Sequence, residues 1–96
     1  MNIKFEFDSN KSKTNKEKHG IDFIEAEKLW EDKNLLIIPA KNVKGEKRFA
    51  LIGRLNDKCW ICIFTLRNNA YRIISVRRCR KKEEDLYEKK SKRNNR

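Results

Sequence analysis

One histidine and a set of arginines are the residues of this chain with chemistry to offer. His19 is the only histidine among 96 residues and sits in Lys18-His19-Gly20. A group titrating near neutrality can both take and give a proton cheaply, which is what general acid–base work needs. Its plainer use is to place charge at the end of a helix. Spacing alone leaves both readings open, with the plainer one ahead. The arginines carry more. Arg48 and Arg54 are an even number apart, so on a strand they share a face. Arg72 opens a β-branched run that Arg77 and Arg78 close. Guanidinium groups match phosphate oxygens in bidentate fashion and stay charged. Several converging on one sheet face would clamp a phosphodiester and favour the added charge of a phosphorane. For any single arginine the stronger reading is a solvated position, with Glu46, Glu83 and Glu84 at hand for ion pairs. For the whole set that reading is weaker, because the net charge is +11. Glu46 can orient Arg48 or act as a base, and pairing is the stronger reading. Tyr87 lies four residues after Glu83 and shares its helix face, where packing outweighs catalysis. Trp30 fits an apolar helix stripe, whereas Trp60 could stack a base if its strand face is open.

The composition agrees with a polyanion partner. Charged residues make up 41% of the chain and hydrophobic ones 38%, a balance that favours nucleic acid or an acidic protein. Lys89, Lys90, Lys92, Arg93 and Arg96 lie in a tail without acid, yet the remainder is still basic. No phosphate-binding glycine loop, dinucleotide fingerprint or zinc set is present, so no cofactor and no metal is expected. Any reaction must then run on side chains. RNA cleavage permits this, because the 2′-OH is a built-in nucleophile that needs only alignment, proton transfer and charge stabilisation.

Cys59-Trp60-Ile61-Cys62 has the C-x-x-C spacing of metal and redox sites. It falls in an apolar, strand-like run where positions three apart face opposite ways. No second cysteine pair or neighbouring histidine completes a ligand set. Buried structural thiols are expected, and a passive Cys79 despite the arginines beside it. The N-terminus lacks the apolar region of a signal peptide, and runs such as Leu35–Ile38 are too short to span a bilayer. These point to the cytoplasm, no membrane contact and free thiols.

The elements that must hold these groups follow from periodicity and punctuation. Ile3 to Phe7 alternates as a short half-buried strand. Asp8 or Asn10 caps a basic helix to Lys18 that has no apolar stripe and ends at Gly20. Asp22 and Glu25 have capping-box spacing ahead of a helix that presents Phe23, Ala26, Leu29 and Trp30 to one side. Strands follow at Leu35–Ile38, closed by Pro39, at Arg48–Leu55, at Cys59–Leu66 and at Tyr71–Val76, with hairpin connections at Asn56–Lys58 and Arg67–Ala70. A last helix runs from Lys81 to Lys90. The expected fold class is α+β, in the order β-α-α-β-β-β-β-α. Its antiparallel sheet of four to five strands carries the two N-terminal helices on one face. Residues 1–90 form one domain, and residues 91–96 are a basic tail too polar to fold.

These pieces resemble a known family. Phe5-Glu6-Phe7-Asp8, Asn15, Lys18-His19-Gly20 and Phe23-Ile24-Glu25-Ala26 are similar to the start of BrnT-type toxins. Gly45 to Phe49, Gly53-Arg54, the run Arg72 to Arg78, Glu83 and Tyr87 resemble the rest, in the same order. The resemblance spans about Ile3 to Lys90. It implies a RelE-like fold and an RNA-cleaving toxin of a type II toxin–antitoxin system that stops translation. It also implies a BrnA-type antitoxin partner that carries the DNA-binding region, so that operator DNA is reached only through the complex. Lys18, His19, Glu46, Arg48, Arg54, Arg72, Arg77, Glu83 and Tyr87 match the family pattern. Val76 and Cys79 stand where small residues are usual. On this reading Arg54, Arg72 and Arg77 bind the scissile phosphate, His19 with Lys18 moves protons, and Glu46, Arg48, Arg78 and Tyr87 bind or orient RNA. The alternatives are a module that binds nucleic acid without cleaving it and a scaffold that docks a partner.

Overall fold

Three tight hairpins build most of the sheet in the computed structural model, which describes residues 3–94. Strands β2 (Leu36–Val43), β3 (Glu46–Leu55), β4 (Lys58–Arg67) and β5 (Ala70–Arg78) form an antiparallel meander. Each turn is two residues long with positive φ at both, Lys44-Gly45, Asn56-Asp57 and Asn68-Asn69. That is the turn whose twist suits adjacent strands, and Asn, Asp and Gly tolerate it best. A short β1 (Phe5–Glu6) adds to β5 in parallel, giving the order β1-β5-β4-β3-β2. The sheet is therefore five-stranded and mostly antiparallel within an α+β fold.

Several boundaries differ from expectation. β2 runs through Pro39 rather than stopping there, because it is an edge strand whose outer side needs no N–H donor. β5 continues to Arg78, so Arg77 and Arg78 lie on a strand and point to opposite faces. The C-terminal helix α3 (Lys81–Asn94) extends past Lys90, so residues 91–94 of the expected unfolded tail are helical. Residues 95–96 of that tail lie outside the described residues.

The N-terminal elements are pinned by caps and by one amide. Helix α1 (Ser9–His19) starts on the Asp8 carboxylate, which accepts from Asn10 N at 2.8 Å, and ends on Gly20 at φ 78°. Its lack of an apolar stripe is made good by polar anchors. Asn15 is buried, and its Nδ2 donates to the carbonyls of Ile21 (2.8 Å) and Val76 (2.9 Å). Its Oδ1 accepts from Val76 N at 3.2 Å. The amide thus pairs with β5 as a neighbouring strand would, along the edge that β1 is too short to cover. Buried Ser12 accepts from Phe23 N at 2.9 Å. The Asp22–Glu25 capping box opens α2 (Phe23–Ala26), which tightens into a 3₁₀ turn over Glu27–Glu31.

Strand alternation divides the core in two. Phe23, Ala26 and Leu29 pack with Leu51, Cys62, Phe64, Ile73 and Val76 on one sheet face. Phe5, Trp30, Phe64 and Tyr71 form a ring cluster at its edge, with Trp30 5.2 Å from Phe64 and 4.9 Å from Phe5. Gly53 lets the 3₁₀ turn come close, since a Cβ there would lie 3.2 Å from Leu51 Cδ2 and 3.4 Å from Leu29 Cδ2. The other face carries a thinner cluster of Ala50, Ile52, Cys59 and Ile61 under Tyr87 of α3.

Cys59 and Cys62 face opposite ways, as their spacing requires. The expected free thiol at Cys59 and Cys79 is not found. The structure joins the two in a disulfide. Pairing Trp60 with Arg78 places Cys59 opposite Cys79, with Cα atoms 5.4 Å apart and Cys79 N donating to Cys59 O at 2.9 Å. Cys62 remains a free, buried thiol, and burial pushes its pKa up. Among the described residues, no helix is long and apolar enough to cross a membrane.

Candidate functional site

The face under α3 carries the arginines. Register and alternation put Arg48 and Arg54 of β3, Arg67 of β4, and Arg72 and Arg77 of β5 on the same side as Ala50, Ile52 and Ile61. The opposite side is occupied by the larger core, so one face is apolar and buried while the other is cationic.

The arginines share this face but form two groups. Arg48 and Arg54 are six positions apart on β3, about 20 Å at about 3.3 Å per residue. At one end, Arg48 Nε lies 3.4 Å and Arg67 Nη2 3.7 Å from the Glu46 carboxylate. Arg72 is beside them through the Arg72–Thr65 pairing and holds Glu6 at 3.3 Å. At the other end, α3 supplies the carboxylates. Glu83 takes both Arg77 Nη atoms, at 2.9 and 2.7 Å, and also accepts from Arg80 N at 2.7 Å. The Arg77 guanidinium holds the Glu83 carboxyl below the usual glutamate range. Glu88 accepts from Arg54 Nη2 at 2.8 Å. Between the two ends lie Ala50, Ile61 and Ile63. Arg54, Arg72 and Arg77 therefore do not meet at one point.

Tyr87 and Asp32 tie α3 to the sheet. The buried Tyr87 hydroxyl donates to Asp32 Oδ2 at 2.7 Å, and the same oxygen accepts from Arg54 N at 2.7 Å. The Arg54 guanidinium lies 5.6 Å from the Tyr87 ring centre. Burial first, then the bond to Asp32, pushes the Tyr87 pKa up to about 12, so near neutrality it is a donor and a packing group.

His19 and Lys18 are not with these arginines. They close α1, which lies along the β5 edge. His19 lines two neighbouring cavities, one with Lys18, Thr14 and Ser75, the other with Lys58, Trp60 and Arg78. None of Arg48, Arg54, Arg72 and Arg77 lines either. Alternation explains the split, because Arg77 and Arg78 point to opposite sides of β5. Trp60 is not an open stacking platform. It is 7% exposed, donates from Nε1 to Leu55 O at 3.2 Å and has Arg78 over its ring at 5.5 Å.

Sequence reasoning missed Arg67, which seemed to belong to a turn. Its even-number spacing from Cys59 could have placed it on this face. Asp32 was also missed, and nothing local marks it, since its partners lie 22 and 55 residues away.

Comparison with known families gives a clear match. A family model described as ribonuclease toxin, BrnT, of type II toxin-antitoxin system matches residues 7–83. The chain belongs to the BrnT family. The matched stretch holds both arginine groups, Glu46, His19 and Glu83, and stops before Tyr87 and Glu88. Membership of BrnT brings a ribonuclease toxin activity, an RNA target and an antitoxin protein as partner. No curated protein matches the chain.

Proposed function

We propose that this BrnT-family chain cleaves RNA without a metal ion, on the arginine face of a RelE-like sheet. The observation that carries the reading is five arginines on one side of the sheet while the other side is buried core. Phosphates of an extended RNA strand engage both groups, Arg48, Arg67 and Arg72 at one end and Arg54 and Arg77 at the other. Guanidinium forks suit this because they bind phosphate oxygens in pairs and stay charged at every working pH.

Cleavage belongs at the first end, where a carboxylate and three guanidinium groups occur together. Glu46, oriented by Arg48 and Arg67, takes the proton of the 2′-OH. Arg72 and Arg48 stabilise the phosphorane charge. His19 and Lys18, expected as the proton-transfer pair, line cavities at the β5 edge that hold none of Glu46, Arg48 and Arg72, and take no part in this step. Arg54 and Arg77 position the strand.

Growth arrest through loss of translation, action in the cytoplasm, neutralisation by a BrnA-type antitoxin and contact with operator DNA through that antitoxin complete the proposal. Purified protein incubated with total RNA in EDTA tests it, beside Glu46→Gln, Arg72→Ala and Arg77→Ala variants checked for folding. Cleavage by the native chain, lost in Glu46→Gln and Arg72→Ala, is the expected result. Intact RNA with the native chain, even with ribosomes present, would replace the reading with a module that binds without cleaving.

A further inference from the structure

Arg78 stands apart from the other strand arginines. Arg48, Arg54, Arg67, Arg72 and Arg77 each hold a carboxylate. Among the described residues Arg78 holds none, and its guanidinium carbon lies over the Trp60 ring, 5.5 Å from its centre. A contact with the ring holds the group in place without taking up its N–H donors.

These edges border a cavity of about 200 Å³ between the end of α1 and the Asn56-Asp57 turn. His19, Lys58 and Asn56 line it too. Like Arg78, His19 and Lys58 have no carboxylate partner among the described residues. The one acidic residue in the lining, Glu25, commits one oxygen, Oε1, to Lys16 Nζ at 2.7 Å and to Asp22 N at 3.0 Å. Three cationic or donor side chains and an amide thus share the space with a single carboxylate that Lys16 already pairs. The volume is below the roughly 300 Å³ where small-molecule sites begin. It would take a phosphate group with part of its hydration rather than a whole nucleotide.

We infer that the His19–Lys58–Arg78 cavity is a second phosphate-binding site, separate from the arginine face. Its ligand is a phosphate of RNA, either a backbone diester or a terminal monoester. Arg78 would bind two oxygens through its fork, Lys58 would add a point charge, and His19 would donate from its ring. Arg77 and Arg78 are adjacent on β5 and face opposite ways, so a strand leaving the arginine face round the end of β5 would meet this site next. That RNA supplies the phosphate rests on the proposed function. That phosphate binds here does not.

His19 is the only histidine, so its imidazole signals in a proton–carbon NMR spectrum report on the site alone. The probes are inorganic phosphate, a nucleoside 5′-monophosphate, and a non-cleavable 2′-O-methyl oligonucleotide without terminal phosphate, at constant ionic strength against chloride. Saturable movement of the His19 signals is expected with phosphate. A response to the oligonucleotide assigns a diester, and a response confined to the monophosphate assigns a terminal monoester. Lys58→Ala, at the exposed start of β4, should weaken binding about tenfold, the loss of one charge-assisted contact. Arg78→Ala should weaken it at least as much. Signals that stay still, that follow chloride equally, or that saturate unchanged in both folded variants would overturn the site. RNA cleavage is read separately, so loss of the ribonuclease reading would leave this result standing.

Discussion

Arg77 and Asn15 show what single side chains do here. Arg77 fills both oxygens of Glu83, and that carboxylate also holds the first turn of α3 through Arg80 N. The depressed Glu83 pKa contributes stability that is present above the ordinary glutamate value. It is lost as the pH falls through the lower folded value. Glu83→Gln should therefore unfold more easily than the native chain at neutral pH. The difference should shrink as the pH drops below about 4.3. Urea titrations at several pH values check this, and a constant gap would contradict it. Asn15 is structural. Replacing it with Ala leaves the N–H and C=O of Val76 without partners, at a cost of about 2–4 kcal/mol. Chemical denaturation measures the loss, and a change below about 0.5 kcal/mol, as for an ordinary surface site, would mean that water replaces the amide.

At the scale of elements, α3 is held by few but specific groups. Tyr87 is its buried anchor, Leu86 is exposed, and Glu83 and Glu88 reach back to Arg77 and Arg54. The helix therefore competes with RNA for two of the five arginines. Glu88→Gln should release Arg54 and tighten binding of a non-cleavable RNA, with little change in stability because that pair is half exposed. Weaker binding in a fluorescence anisotropy titration would argue instead that Glu88 positions Arg54 for use. The disulfide ties the start of β4 to the residue leading into α3. Without reductant, alkylation of the unfolded chain should label one thiol, Cys62. Full reduction should expose all three cysteines, and mass spectrometry separates the two cases.

For the whole molecule, little of the net charge of +11 resides on the arginine face, because four carboxylates hold its five arginines. RNA affinity should fall linearly with the logarithm of salt concentration. If the five arginines of the face each neutralise one phosphate, the slope is about −3.5, at about −0.7 per contact on a single strand. A slope near zero would mean that the arginines keep their own carboxylates and RNA binds elsewhere.

Local signals determined much of this in advance. Alternation located β1, apolar runs between turn signals located the other four strands, and Asn-rich pairs at 56–57 and 68–69 located two turns, because φ preference and side-chain facing are properties of neighbours in the chain. The same rule put Arg48 and Arg54 on one face and Cys59 and Cys62 on two. The resemblance to BrnT rested on residues in their linear order, and the family match covers those from Phe7 to Glu83. Only the tertiary structure decided the rest. Register set Cys59 opposite Cys79, and an edge position let Pro39 sit within β2. Asn15 anchored a helix with no apolar stripe, and Asp32 bridged β3 to α3. Above all, the fold left the face arginines out of the cavities that His19 lines and spread those arginines over two ends. Which charged groups meet depends on how strands pair and which face a helix covers. Those are contacts between residues 20 to 61 positions apart, and no local pattern records them.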